Sequence, residues 1–275
     1  NDYDVKYVAE RLLNYGAEGA SMVLTYCHNL FFNEKLTNED YLKLGKQCLM
    51  SIDLQTFKMN DYLYLESMNN YLVLKHDEEM ALHVQNLVEK SFETDRLFDD
   101  YYLGRLYRKV LSKYSDLLKD RLFDLLDDTN CRGHWINLLR TAYPQDDENI
   151  PAYCFITEDE WFEWLDNDRN KGRAYVLAML FNYAEDNCAS PAYLRLINGY
   201  WNEEICAALS SRFHSFSWTG SGIPLYMGRI RICEDYIKKV TNEDARKWFQ
   251  KDIENWKSQI EQERLQNAHE RAIYD

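Results

Sequence analysis

Proline is almost absent from this chain. It occurs only 4 times, at Pro144, Pro151, Pro191 and Pro224, so the first 143 residues contain none. Proline breaks helix interiors and central strands alike, and its absence permits long regular elements. Paired cysteine motifs are missing too. The seven cysteines (Cys27, Cys48, Cys131, Cys154, Cys188, Cys206 and Cys233) form no C-x-x-C pair, and no two lie closer than 18 residues. An odd number of scattered cysteines among apolar neighbours reads as reduced core residues, which points to the cytoplasm. No apolar run approaches the roughly 20 residues that span a bilayer. The acidic start Asn1-Asp2-Tyr3-Asp4 is not a secretory signal. It also lacks an initiator Met, and the chain is expected to be a piece of a larger protein. Positive charge is scarce: 32 Lys and Arg face 46 Asp and Glu, for a net charge of −14. Nucleic-acid binding is mainly phosphate neutralisation, so this total disfavours a nucleic-acid partner. It disfavours an anionic membrane surface as well.

What is present is apolar and aromatic. Hydrophobic residues make up 46% and aromatics 15%, which excludes intrinsic disorder. The apolar residues recur at three- and four-residue spacing, the period of a helix. A first helix is expected near 4–14 with Val5, Val8 and Leu12 inward. A second follows to about 32 with Met22, Tyr26 and Leu30 inward. Further helices are expected near 37–50, 60–74 and 77–92. Leu103 to Tyr114 forms one broad stripe, after which Asp116 caps a separate short helix. Ser190-Pro191 reads as N-cap and first residue of a helix, Asn202 reads as a further cap, and Asn242 or Thr241 starts the last helix. The final helix carries Ala245, Trp248, Phe249, Ile253, Trp256 and Ile260, then loses its apolar face. The strongest strand candidates, 62–65 and 71–74, are short and have no hairpin turn. The fold class is therefore all-α: an array of short antiparallel helix pairs, HEAT-like or an irregular solenoid, ending in a long C-terminal helix. Fading periodicity, Pro144, Pro151 and the acids Asp146, Asp147 and Glu148 mark 144–156 as a linker between arrays at 1–143 and 157–275.

No catalytic signature accompanies this architecture. His76 and His83 are seven residues apart, about 10 Å along a helix, too far to share a metal directly. The H-E-x-x-H spacing is absent, so a solvated helix face is expected there. Cys131 and His134 form C-x-x-H without the second half of a zinc site. Gly220-Ser221-Gly222 is neither G-x-S-x-G nor a phosphate loop and reads as an interhelical turn. Acidic pairs such as Asp127-Asp128 and the run 158–168 fit capping and the helix dipole better than acid–base catalysis. No catalytic residue, metal or cofactor is assigned. The unusual quantity is aromatic: 21 Tyr and 7 Trp. Both types are enriched where a buried ring meets a partner. Trp161, Trp164 and Trp218 lie beside charged or loop residues and are candidate partner-binding positions, although core packing is the favoured reading at each. Arg229 and Arg231 head the best basic face, interrupted by Glu234 and Asp235.

Ser210-Ser211-Arg212-Phe213, Ser217-Trp218-Thr219-Gly220-Ser221, Arg229-Ile230 and the closing Ala245, Trp248, Ile253, Ile260 and Glu263 form a pattern. It resembles the C-terminal helical segment of large bacterial proteins, some of them defence-associated proteins with HEAT-like arrays. The resemblance implies a helical segment of a bacterial protein and a setting in antiviral defence. Its motifs are structural, so it carries over no active-site residue. The expected function is a protein-interaction, sensor or scaffold module whose partner is a protein or another domain of the same larger chain. The alternative is a metal-dependent hydrolase or nuclease with acids converging between helices.

Overall fold

The computed structural model describes residues 2–28, 39–52, 61–93, 100–140, 150–168, 172–181, 190–214 and 219–274. Every regular element among them is helical. Among the described residues, seven helices and a short 3-10 turn belong to a unit from residues 1 to 157, and six helices to a second from 158 to 275.

The first unit contains α1 (Asp2–Leu13), α2 (Gly16–His28), α3 (Glu39–Ser51), α4 (Asp61–Leu74), α5 (Glu78–Glu93), α6 (Asp100–Asp127) and α7 (Arg132–Arg140). The 3-10 turn is Ala152–Phe155. It packs on α6 and α7, so 152–155, within the segment read as a linker, is part of this unit. The division between units falls after Thr157. The expected linker residues 144–149 lie outside the described residues.

The expected inward faces of α1 and α2 are corrected by about one residue. Ala9, Leu13, Ala20, Val23 and Leu24 are buried, whereas Val8, Met22 and Tyr26 are exposed. The reason is close packing through small residues. A Cβ at Gly19 would lie 1.6 Å from the Leu12 carbonyl oxygen, so only glycine lets α2 approach α1 there. Leu30 lies outside the described residues. The segments 62–65 and 71–74 are both inside α4, which buries Tyr64, Leu65, Met68, Tyr71 and Leu72.

Helix α6 packs against α4, α5, α7 and the 3-10 turn. It buries Leu103, Leu106, Tyr107, Val110, Leu111, Leu118, Leu122 and Leu126. The break expected between Tyr114 and Asp116 is present: α6 is two helical stretches that join across a kink at Tyr114 (φ −133°, ψ 24°). Trp135 of α7 is wholly buried and meets the Tyr107 ring edge-on at 5.4 Å.

The second unit contains α8 (Glu158–Asn167), α9 (Arg173–Phe181), α10 (Pro191–Tyr200), α11 (Glu203–His214), α12 (Ile223–Lys239) and α13 (Glu243–Tyr274). Helix α9 buries Ala174, Val176, Leu177, Ala178, Leu180 and Phe181, as a helix surrounded by others must. It packs on α8, α10 and α11, and α12 pairs with α13. The caps are those read from sequence. Ser190 accepts from the Tyr193 amide at 3.1 Å, Asn202 from Ile205 at 3.0 Å, and Asn242 from Ala245 at 3.1 Å. After Ile260, α13 exposes both Leu265 and its charged neighbours. No helix among the described residues is long and apolar enough to cross a membrane.

Candidate functional site

Buried charge needs partners, so buried acids are natural places to seek chemistry. In the first unit the focus is Asp77, between α4 and α5. Its carboxylate accepts from the Met80 amide at 3.0 Å, capping α5, and from the Tyr71 hydroxyl at 2.8 Å. Lys46 of α3 lies 2.9 Å from the same carboxylate and 2.6 Å from Glu79. The Asp77 amide donates to Tyr114 Oη at 2.7 Å. Burial raises the Asp77 pKa, but Lys46, the Met80 amide and the Tyr71 hydroxyl outweigh it and hold the carboxyl below its ordinary range.

In the second unit three helices meet at Asp252 of α13, whose side chain is 4% exposed. Oδ2 accepts from Trp256 Nε1 at 2.8 Å and from Cys233 Sγ of α12 at 3.8 Å. Oδ1 lies 2.9 Å from Nε2 of His214, the last residue of α11. A carboxylate acceptor requires a hydrogen on Nε2, which fixes the tautomer of neutral His214. The His214 ring also stacks on Trp256 at 4.8 Å. This is a histidine oriented by a buried acid. Its neighbouring thiol addresses the acid, not the imidazole. Burial, followed by the adjacent Asp252, pushes the Cys233 thiol well up, which disfavours the thiolate a nucleophile needs.

The acids at the start of α8 have structural partners. Arg195 of α10 lies 2.8 Å from Asp159 and 3.2 Å from Glu158, with its guanidinium 3.9 Å over the Phe162 ring. The loop glycines also have a structural role. The Glu263 carboxylate of α13 accepts from the Ser221 hydroxyl and the Gly222 amide, closing the N-terminus of α12. A Cβ at Gly222 would lie 2.8 Å from the Tyr226 ring.

No known protein family, curated protein or solved structure matches this chain. The candidate positions are therefore weighed on geometry. Trp161 and Trp164 are 1% and 4% exposed and meet edge-on at 5.9 Å. Both are core residues of the second unit and present no ring face to a partner, as the favoured core-packing reading has it and against their candidacy as partner-binding positions. They occupy the inward face of α8, while its acids face outward. Trp218 lies outside the described residues. Arg229 is half-buried over the Phe213 ring at 5.3 Å, and burial followed by nearby Arg212 lowers its pKa. Arg231 is exposed.

The histidines expected on a solvated face differ from each other. His76 is exposed and stacks on Tyr114, whereas His83 is half-buried with Nε2 3.2 Å from the Tyr64 hydroxyl. Burial lowers the pKa of His83. His134 stacks on Phe92 at 5.1 Å. Among the described residues, no three His, Cys, Asp or Glu side chains converge in a way that could hold a metal ion.

The sequence reading missed one surface. Tyr15 is 75% exposed, Met22 47% and Tyr26 80%. With Glu18, Met22 and Tyr26 follow at i, i+4 and i+8 along α2, and Tyr15 sits at its entry. The signal was present as helical spacing. It was assigned to the core because apolar periodicity does not say which side another helix covers.

Proposed function

We propose that the chain is a protein-interaction module and that the outer face of α2 is its partner-binding surface. One observation carries this reading: Met22 and Tyr26 stand one turn apart on α2 at 47% and 80% exposure, with Tyr15 75% exposed at the helix entry. Isolated exposed apolar residues are ordinary, but Tyr and Met exposed together at one end of α2 have the composition of protein interfaces. Tyrosine brings large contact area at little conformational cost and keeps a polar tip for hydrogen bonding. Arg231 supplies an exposed charge on the second unit and is a secondary contact in this reading.

The test is a comparative capture. The tagged wild-type chain and a Tyr15→Ser/Met22→Ser/Tyr26→Ser variant are passed through host lysate, after circular dichroism shows equal helicity. A protein retained by the wild type and lost by the variant supports the assignment. Equal retention by both, or none by either, overturns it. We further propose antiviral defence as the setting, on the resemblance read from the C-terminal sequence alone. Deleting the parent gene is then expected to raise phage plating efficiency. Unchanged plating across a broad panel removes that part of the reading while leaving the interaction module intact.

A further inference from the structure

We propose that His214 is a phosphoryl-acceptor site, with Nδ1 of its imidazole as the nucleophile and Asp252 as the residue that positions it. The site lies in the second unit and does not rest on the α2 face. A nucleophilic imidazole needs one ring nitrogen with its lone pair within reach of solvent. It also needs a partner for the positive charge that spreads over the ring as the new bond forms. His214 has both. Its side chain is 43% exposed, and Nε2 is committed to Asp252 Oδ1 at 2.9 Å. A carboxylate accepts a hydrogen, so the proton of the neutral ring sits on Nε2 and Nδ1 carries the lone pair. Three features favour positive charge on that ring. The Asp252 carboxylate is buried, so its attraction is weakly screened. The Trp256 indole lies nearly parallel to the imidazole, at 4.8 Å and 18°, and offers its π face to a cation. His214 is the last residue of α11, where the helix dipole favours a cation.

The neighbouring cations select an anionic electrophile. Arg212 precedes His214 by two residues on α11, and Arg229 of α12 lies 5.3 Å over the adjacent Phe213 ring. Burial and then Arg212 lower the pKa of Arg229, so the two guanidiniums stand near each other. In a chain of net charge −14, such a pair is a local departure that attracts an anion. In the step, Nδ1 attacks the phosphorus of a donor whose leaving group departs as a carboxylate or as ammonia. The N–P bond forms as the donor's P–O or P–N bond breaks, and the bonding pair leaves with that group. The Nε2 hydrogen stays on the ring, facing Asp252.

The experiment treats the full chain with potassium phosphoramidate at about pH 8, above the ordinary imidazole range. Mass spectrometry under alkaline conditions follows each histidine. His76 is the internal control: it too is exposed and stacked on an aromatic ring, that of Tyr114, and among the described residues no carboxylate bonds its ring. His214 is expected to label about tenfold or more faster than His76. Phosphorus NMR should place the label on Nδ1, and His214→Gln should remove the fast phase. Asp252→Asn, folded by circular dichroism, should slow His214 to the rate of His76. Equal rates at the two histidines of the wild type overturn the proposal, as does a label on Nε2 or an unchanged rate in folded Asp252→Asn. If Asp252→Asn loses its helical spectrum, the wild-type comparison decides alone.

Discussion

At the scale of single residues, the charged groups of this chain spend their chemistry on holding helices. Asp77 joins α3, α4, α5 and α6 through hydrogen bonds to side chains and backbone. Because its folded pKa is depressed, the stability it confers is present above the ordinary carboxylate range, near pH 4. It is lost as pH falls through the folded value. Asp77→Asn should therefore be less stable than wild type by about 1 kcal/mol or more at pH 7. The gap should narrow below pH ~4 as the wild-type carboxyl protonates. Urea midpoints from pH 7 to 3 measure this; a constant or widening gap contradicts the assigned role. Asp77 was legible in sequence as an acid ahead of a helix. Its ties to Lys46 and Tyr114, 31 and 37 residues away, were not, because nothing local specifies them.

At the scale of elements, helix starts were the most legible features, because a cap and the amide it satisfies lie within three residues of each other. Ser190 and Asn202 cap as read, and of Thr241 and Asn242 it is Asn242 that caps α13. Asn242→Ala is expected to cost about 1 kcal/mol. It should also raise amide exchange in the first turn of α13 more than in α9, and uniform exchange across both would show that the cap is unimportant. Which face of a helix turns inward was less legible. In α5, Met80, Val84, Leu87 and Val88 are buried as read. In α2 the buried face rotated, because Gly19 and Ala20 allow closer packing than the larger Met22 and Tyr26 would. Trp161 and Trp164 were legible as core: flanking acids kept partner binding open for them, but the same helix carries its acids outside and its tryptophans inside.

At the scale of the whole molecule, the chain divides after Thr157, and each unit has its own buried aromatics: Tyr64, Tyr107 and Trp135 in the first, Trp161, Phe162, Tyr193 and Phe249 in the second. A unit with its own core is expected to fold alone. Residues 158–275 expressed by themselves should keep a helical spectrum and melt cooperatively. A featureless spectrum would mean that the second unit depends on the first.

The sequence by itself determined that the chain is helical, where most helices begin, and that its long terminal helix sheds its apolar face after Ile260. These properties are set by residues within one or two turns of each other, through propensity, capping and periodicity. Only the tertiary structure decided that Asp77 and Asp252 are junctions, and that Tyr15 and Tyr26 face water while two tryptophans of α8 do not. Each of these depends on which distant helix arrives at a given face, and that choice is made by the packing of the whole unit.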